Sequence, residues 1–123
     1  MNSEELKSRT KTFACRCINL SSALPHTPLG EHISRQLIRS STSVAANYRA
    51  ACRAQSKASF ISKLSIVLEE VDETLFWLEL VIEQKLIGKK QVELLLREAD
   101  ELTAIFAVAR KSSRKSSIVT RKS

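Results

Sequence analysis

An all-α fold, an antiparallel up-down-up-down four-helix bundle, is what this 123-residue sequence predicts. Three observations carry that reading. Punctuation is scarce: the two Gly and two Pro lie at three places only, Pro25, Pro28 to Gly30, and Gly88, and a sheet protein needs more turn chemistry. Leu, Ala, Ile, Glu, Lys and Arg dominate while aromatics make up 5%, a composition that suits helices. Four segments between the breaks each repeat apolar residues at three-or-four spacing, and amphipathic segments with short connections pack as a bundle. At this length the chain forms one domain, about residues 1–110, around a single core.

The first helix is expected from about Ser3 to Ala23. Ser3 suits an N-cap, and Glu4 and Glu5 occupy the first turn, where the helix dipole favours negative charge. Leu6, Phe13, Cys17, Leu20 and Leu24 make its stripe, and Pro25 and Pro28 end it. The second helix runs from near Leu29 to about Ala54, with Ile33, Leu37, Ser41, Val44, Tyr48 and Ala51 as the core seam. Ser56 caps the third, which extends to Ile87 with Phe60, Leu64, Val67, Val71, Leu75, Leu78 and Ile82 inward. Gly88 reads as its stop signal. The boundary at Ala54-Gln55-Ser56 has neither Gly nor Pro, so one continuous helix is the alternative there. The fourth helix runs from about Lys90 to Arg110, facing Leu95, Ala99, Leu102, Ile105, Phe106 and Ala109 inward. Residues 111–123 carry no stripe and are expected to form a basic disordered tail.

Charge is sorted along the chain. From His32 to Leu68 there are six basic residues (Arg35, Arg39, Arg49, Arg53, Lys57, Lys63) and no acid. From Glu69 to Ala109 there are ten acids against four bases, and the last fourteen residues hold six bases and no acid. At about 100° per residue, Arg35, Arg39, Arg49 and Arg53 fall within an arc of about 80° opposite the apolar seam. They span about 27 Å at 1.5 Å rise. Three readings fit: a solvated polar face, a surface for a polyanion such as RNA or DNA, or pairing with the acidic third helix of a neighbouring subunit. The third helix carries a second apolar stripe, Ile66, Phe76, Trp77 and Leu80, directed away from its main seam. An oligomer interface is expected there, with Trp77 as anchor; a wide bundle interior that absorbs Trp77 is the alternative.

The pattern argues against catalysis. Cys15 and Cys17 project about 200° apart on a helix, awkward for a shared ion, and the only histidines, His26 and His32, lie in or beside the Pro loop. No nucleophile elbow is present, and two glycines cannot make a phosphate-cradling loop. Glu69-Glu70 and Asp72-Glu73 read as a solvated or subunit-facing strip. No catalytic, metal or cofactor site is expected. No stretch approaches the roughly 20 apolar residues of a membrane span, and Met1 to Glu5 lacks the layout of a secretory signal. Three cysteines (Cys15, Cys17, Cys52) without such a signal point to free thiols in a reducing cytoplasm.

Residues Gln36 to Ala51, QLIRSSTSVAANYRAA, resemble the signature of the four-helix bundle family related to 23S rRNA intervening-sequence proteins, approximately Q-[IL]-x-R-[SA]-x-x-S-[IV]-x-x-N-[IY]. Ser56 to Leu64 is similar to that family's S-K-x-x-F-I-x-x-L, and Leu75 to Leu80 to its L-x-W-L-x-L. The resemblance covers about residues 5–110. It implies an antiparallel four-helix bundle, homopentameric rings in bacteria, and no established biochemical role. A related branch, the accessory variability proteins of diversity-generating retroelements, is similar in fold and binds a reverse transcriptase and nucleic acid through a basic surface. Arg39 and Asn47 match the motif by position; Arg35, Arg49, Arg53 and the neighbouring Lys57 come from the charge pattern. Asn47, a poor mid-helix residue, is expected to make a structural hydrogen bond. At residues 49–51, Arg-Ala-Ala replaces the commoner Ala-Glu-Gly, which favours a longer second helix. The expectation is a non-enzymatic homo-oligomeric binding module for RNA or DNA, or else a protein assembly or adaptor module.

Overall fold

The computed structural model describes residues 1–122, with side chains through Lys115. Four helices account for it: α1 Ser3–Ser22, α2 Pro28–Cys52, α3 Lys57–Glu83 and α4 Lys89–Lys122. Contacts between helices fix their order and direction. Residues 39–40 of α2 meet 70–74 of α3 and His32 meets Trp77, so numbers rise on one helix as they fall on the other. Ser65 of α3 pairs with Arg110 of α4, and Arg9 of α1 with Glu98 of α4. Connections of a few residues between such long helices make the other successive pairs antiparallel as well, and the ring of four closes where α1 meets α4.

The starts of the first three helices have local causes. Asn2, not Ser3, caps α1: its side chain accepts from the Glu5 N–H at 2.9 Å. Thr27 caps α2 by accepting from the Gly30 N–H at 3.1 Å, and Pro28 takes the first helical position, where its missing N–H is harmless. Ser56 caps α3 through the Ser59 N–H at 3.1 Å. A turn therefore does separate α2 from α3, without Gly or Pro.

The end of α3 differs from expectation. The helix stops at Glu83, and Lys85, not Gly88, takes the left-handed conformation at φ 53°. The Leu86 N–H bonds to the Val81 carbonyl and the Lys85 N–H to the Ile82 carbonyl, both at 3.0 Å. This is a Schellman ending, with Leu86 folded onto the core edge. Burying Leu86 fixes where the chain turns, and the residue at the left-handed position bears the strain. Lys85→Gly should therefore stabilise the protein by about 1 kcal/mol, measured as an upward shift of the urea midpoint at unchanged slope.

The other end of α4 also departs from expectation. The helix does not stop at Arg110 but continues through residues 111–122. That stretch contains no Gly or Pro to break it. Its described part, 111–115, is exposed apart from half-buried Ser113 and adds nothing to the core. The last residue of the expected tail, Ser123, lies outside the described residues.

The core is continuous along the bundle axis. Phe13, Cys17, Ile33, Leu37, Val44, Leu64, Val67, Val71, Leu78, Val81, Val92, Ala99, Leu102 and Phe106 are fully buried. Buried hydroxyls interrupt it and are satisfied: Thr74 Oγ1 bonds to Ser40 Oγ at 2.8 Å across α2 and α3, and Thr10 Oγ1 donates to the Leu6 carbonyl at 2.9 Å. Among the described residues no buried side-chain nitrogen or oxygen lacks a partner. Polar interior atoms thus hold the helices in register at little cost.

One ion-pair cluster ties α1 to α4. Arg9 grips Glu98 with two bonds, 2.6 and 2.7 Å, and reaches Glu101 at 2.9 Å. The hydrogen bonds and charge of Arg9 hold the Glu98 carboxyl below the usual carboxylate range, despite partial burial. Its folded value thus lies below its unfolded value. The stability it contributes is present above about pH 4.5 and is lost as pH falls through the folded value. Glu98→Gln should cost about 1–2 kcal/mol at neutral pH and flatten the acid limb of a stability–pH curve, leaving the alkaline limb unchanged.

Candidate functional site: the basic groove of α1 and α2

The arginines of α2 do not act as one row. Arg39, at one side of the arc, leans onto α3: its guanidinium pairs with Glu70 at 3.1 Å and also with Glu73. Arg39, with its charge assistance, draws the Glu73 carboxyl below its ordinary range. Glu73 in turn accepts from Trp77 Nε1 at 3.4 Å. The acids that α2 lacks after Glu31 are thus supplied by α3 of the same chain.

Arg49, on the other side of the arc, and Arg53, at the C-cap of α2, line the face shared with α1. There they meet Lys7 and Lys11, and the four cations rim an open groove of about 750 Å³. One carboxylate, Glu4, lies among them, paired with Lys7 at 2.8 Å. Lys11, Arg49 and Arg53 have no ion pair among the described residues. The groove floor is made of small residues, Ala14, Ala45 and Ala46, and its far end holds Ile18, 36% exposed. Antiparallel packing builds this arrangement, because it sets the first turns of α1 beside the last turns of α2. Small floor residues let another backbone approach closely, and the rim favours negative charge.

The remaining expected positions scatter. Arg35 is exposed beside a 250 Å³ hollow with His26 and Glu31, away from the groove. Lys57 is exposed in the first turn of α3. Asn47 Nδ2 donates to the Ser43 carbonyl at 3.0 Å and to Ser43 Oγ at 2.9 Å, one turn back on its own helix. In the second stripe of α3, Trp77 and Leu80 are half-buried against the core edge, Ile66 is half-buried, and Phe76 is 52% exposed. Trp77 is held edge-on between His32, 5.5 Å away, and Phe76, 5.0 Å away. Beside this stripe Glu69, Asp72, Glu79 and Glu83 are exposed and form no ion pair among the described residues.

Sequence reasoning missed Lys7, Lys11 and Ile18. Lys7 and Lys11 sit one turn apart on the polar side of α1, a visible signal, but only packing reveals which helix they face. The thiols separate as their spacing requires: Cys15 is exposed on the groove, Cys17 buried, Cys52 half-buried. Burial pushes the Cys17 thiol up to about 12, so it stays protonated against Ser41. Among the described residues no cluster of His, Cys, Asp or Glu could hold a metal, and no helix is long and apolar enough to cross a membrane.

No curated protein shows significant similarity to the chain. A protein of unknown function from the S23 ribosomal protein family of Bacteroides thetaiotaomicron shares the fold with a TM-score of 0.80 and 36% sequence identity. That likeness covers 90% of this chain and 99% of the other. The family model of the 23S rRNA-intervening sequence protein matches residues 4–107, from the first turn of α1 to the last core residue of α4. Sequence motif, helix order and core thus agree over nearly the whole bundle, and the chain belongs to the 23S rRNA-intervening sequence protein family.

Proposed function

We propose that this protein is a non-enzymatic homo-oligomeric assembly module of the cytoplasm, a ring protomer with five copies as its family resemblance implies. The observation that carries the reading is the segregation of its surface. A cationic groove with an alanine floor lies between α1 and α2, while α3 carries exposed Phe76 beside Glu69, Asp72, Glu79 and Glu83, which form no ion pair among the described residues. Such surfaces are unsatisfied in a monomer, and heterologous contacts between identical subunits form rings when the rotation between neighbours closes. Intact-protein mass spectrometry under native conditions tests it: a homo-oligomer supports the reading, and a monomer across the micromolar range rejects it.

A second reading, binding of RNA or DNA, is favoured by one observation. Arg35, Arg49 and Arg53 are exposed in a stretch from His32 to Leu68 without a single acid. Phosphate contacts release counterions, so affinity for a fluorescein-labelled RNA should fall steeply between 50 and 200 mM salt, by about tenfold or more for a few contacts. Under this reading Arg35→Glu with Arg53→Glu weakens binding and flattens the salt dependence. Binding that is absent or salt-independent removes it.

A further inference from the structure

The groove and the acidic ridge match in residue spacing and in sign. In an up-down-up-down bundle α1 and α3 run in the same direction. In a cyclic ring whose axis follows the bundle, α3 of every copy is parallel to every other. A neighbour's α3 entering the α1–α2 groove therefore runs parallel to α1. The spacings then fit. Ile18 and Lys11 are seven residues apart on α1, as Phe76 and Glu69 are on α3, about 10 Å in each case. With Phe76 beside Ile18 on the alanine floor, Glu69 and Asp72 fall at the end rimmed by Lys11 and Arg49.

Each partner in this fit is left open to solvent in its own chain's described residues. Phe76 is 52% exposed. Glu69 and Asp72 are exposed without an ion pair among the described residues, as are Lys11 and Arg49. By contrast Glu70 and Glu73, on the flank of α3 that faces α2, are already taken by Arg39. The carboxylates left over are on the outward side, where a second copy reaches them. The exposed Ile18 and alanine floor suit a helix better than a phosphate backbone, which gains nothing from them.

We propose that the α1–α2 groove is the socket for the acidic ridge of α3 from a second copy of this chain, with Phe76 as the plug and Glu69 and Asp72 on Lys11 and Arg49. The proposal rests on the homo-oligomeric reading above and names its contact. Such a contact is head-to-tail, uses a different surface on each copy, and forms a ring when the rotation between neighbours closes.

Charge exchange tests it, read by native mass and sedimentation velocity, with far-UV circular dichroism to establish that each variant is folded. Lys11→Glu with Arg49→Glu, and separately Glu69→Lys with Asp72→Lys, should each dissociate the oligomer, weakening assembly at least about tenfold. The chain carrying all four substitutions has the signs exchanged and should regain the wild-type mass. If either pair leaves the mass unchanged, or the fourfold variant stays dissociated, the socket is overturned while the oligomer stands. If the Lys11→Glu, Arg49→Glu protein keeps its mass but loses salt-sensitive RNA binding, the groove belongs to nucleic acid and the proposal falls. A monomeric wild type removes the assembly reading itself.

Discussion

Phe106→Ala is expected to cost about 3–5 kcal/mol, enough to lower the thermal midpoint by roughly 10 °C or more. Phe106 is fully buried near the end of the apolar part of α4, and its ring tilts against Tyr48 of α2 at 5.1 Å. This contact crosses the bundle diagonal. It matters because α4 lies along α3 but meets α1 only over a short seam, where Arg9 supplies much of the polar connection. Removing the ring leaves a cavity lined by neighbours on rigid helices, which collapse only partly. Val108→Ala, two residues along at 65% exposure, should change stability by no more than about 0.5 kcal/mol. Urea unfolding of the two variants separates packing of α4 from its helix propensity.

Gly30→Ala should cost about 2–3 kcal/mol, although alanine is the better helix former. A Cβ at Gly30 would lie 2.0 Å from the Pro25 carbonyl oxygen and 3.2 Å from Thr27 Oγ1. The first obstacle is backbone, so relief requires moving the Pro25 turn, and the Thr27 cap moves with it. Gly30 is therefore small because the chain crosses itself there as it enters α2. Gly88→Ala is the matched control. Nothing lies within 4 Å of a Cβ at that position, and Gly88 has no positive φ, so this substitution should be neutral or slightly stabilising. Equal losses at the two glycines would contradict the steric account.

These residues also mark how far the sequence could be read. Four helices, the core seam of α2 and the burial of Phe106 follow from periodicity, because a buried helix face leaves its spacing in the chain. Gly88 misled because glycine is the commonest left-handed terminator, yet a lysine can hold that position when Leu86 has a core edge to cover. The end of α4 is not legible because a helical turn that buries no apolar face leaves no periodic signal in the sequence. The arginine arc was legible as an angle, but not its neighbours. Arg39 and Arg49 differ by about 80° around α2, and that angle sends one to Glu70 on α3 and the other to the groove with Lys7 and Lys11. Which helix stands on which side is tertiary information that one helix's sequence does not contain. The aromatic cluster tells the same story: Trp77 anchors onto His32 as well as Phe76, leaving Phe76 as the large side chain turned outward.

The central claim is that the folded chain is one part of a closed homo-oligomer. Native mass spectrometry of the untagged wild-type protein at physiological ionic strength tests it most directly. The account predicts a single dominant species at five times the chain mass of 13.8 kDa, without added nucleic acid. A dominant species at 13.8 kDa over the whole micromolar range would contradict it.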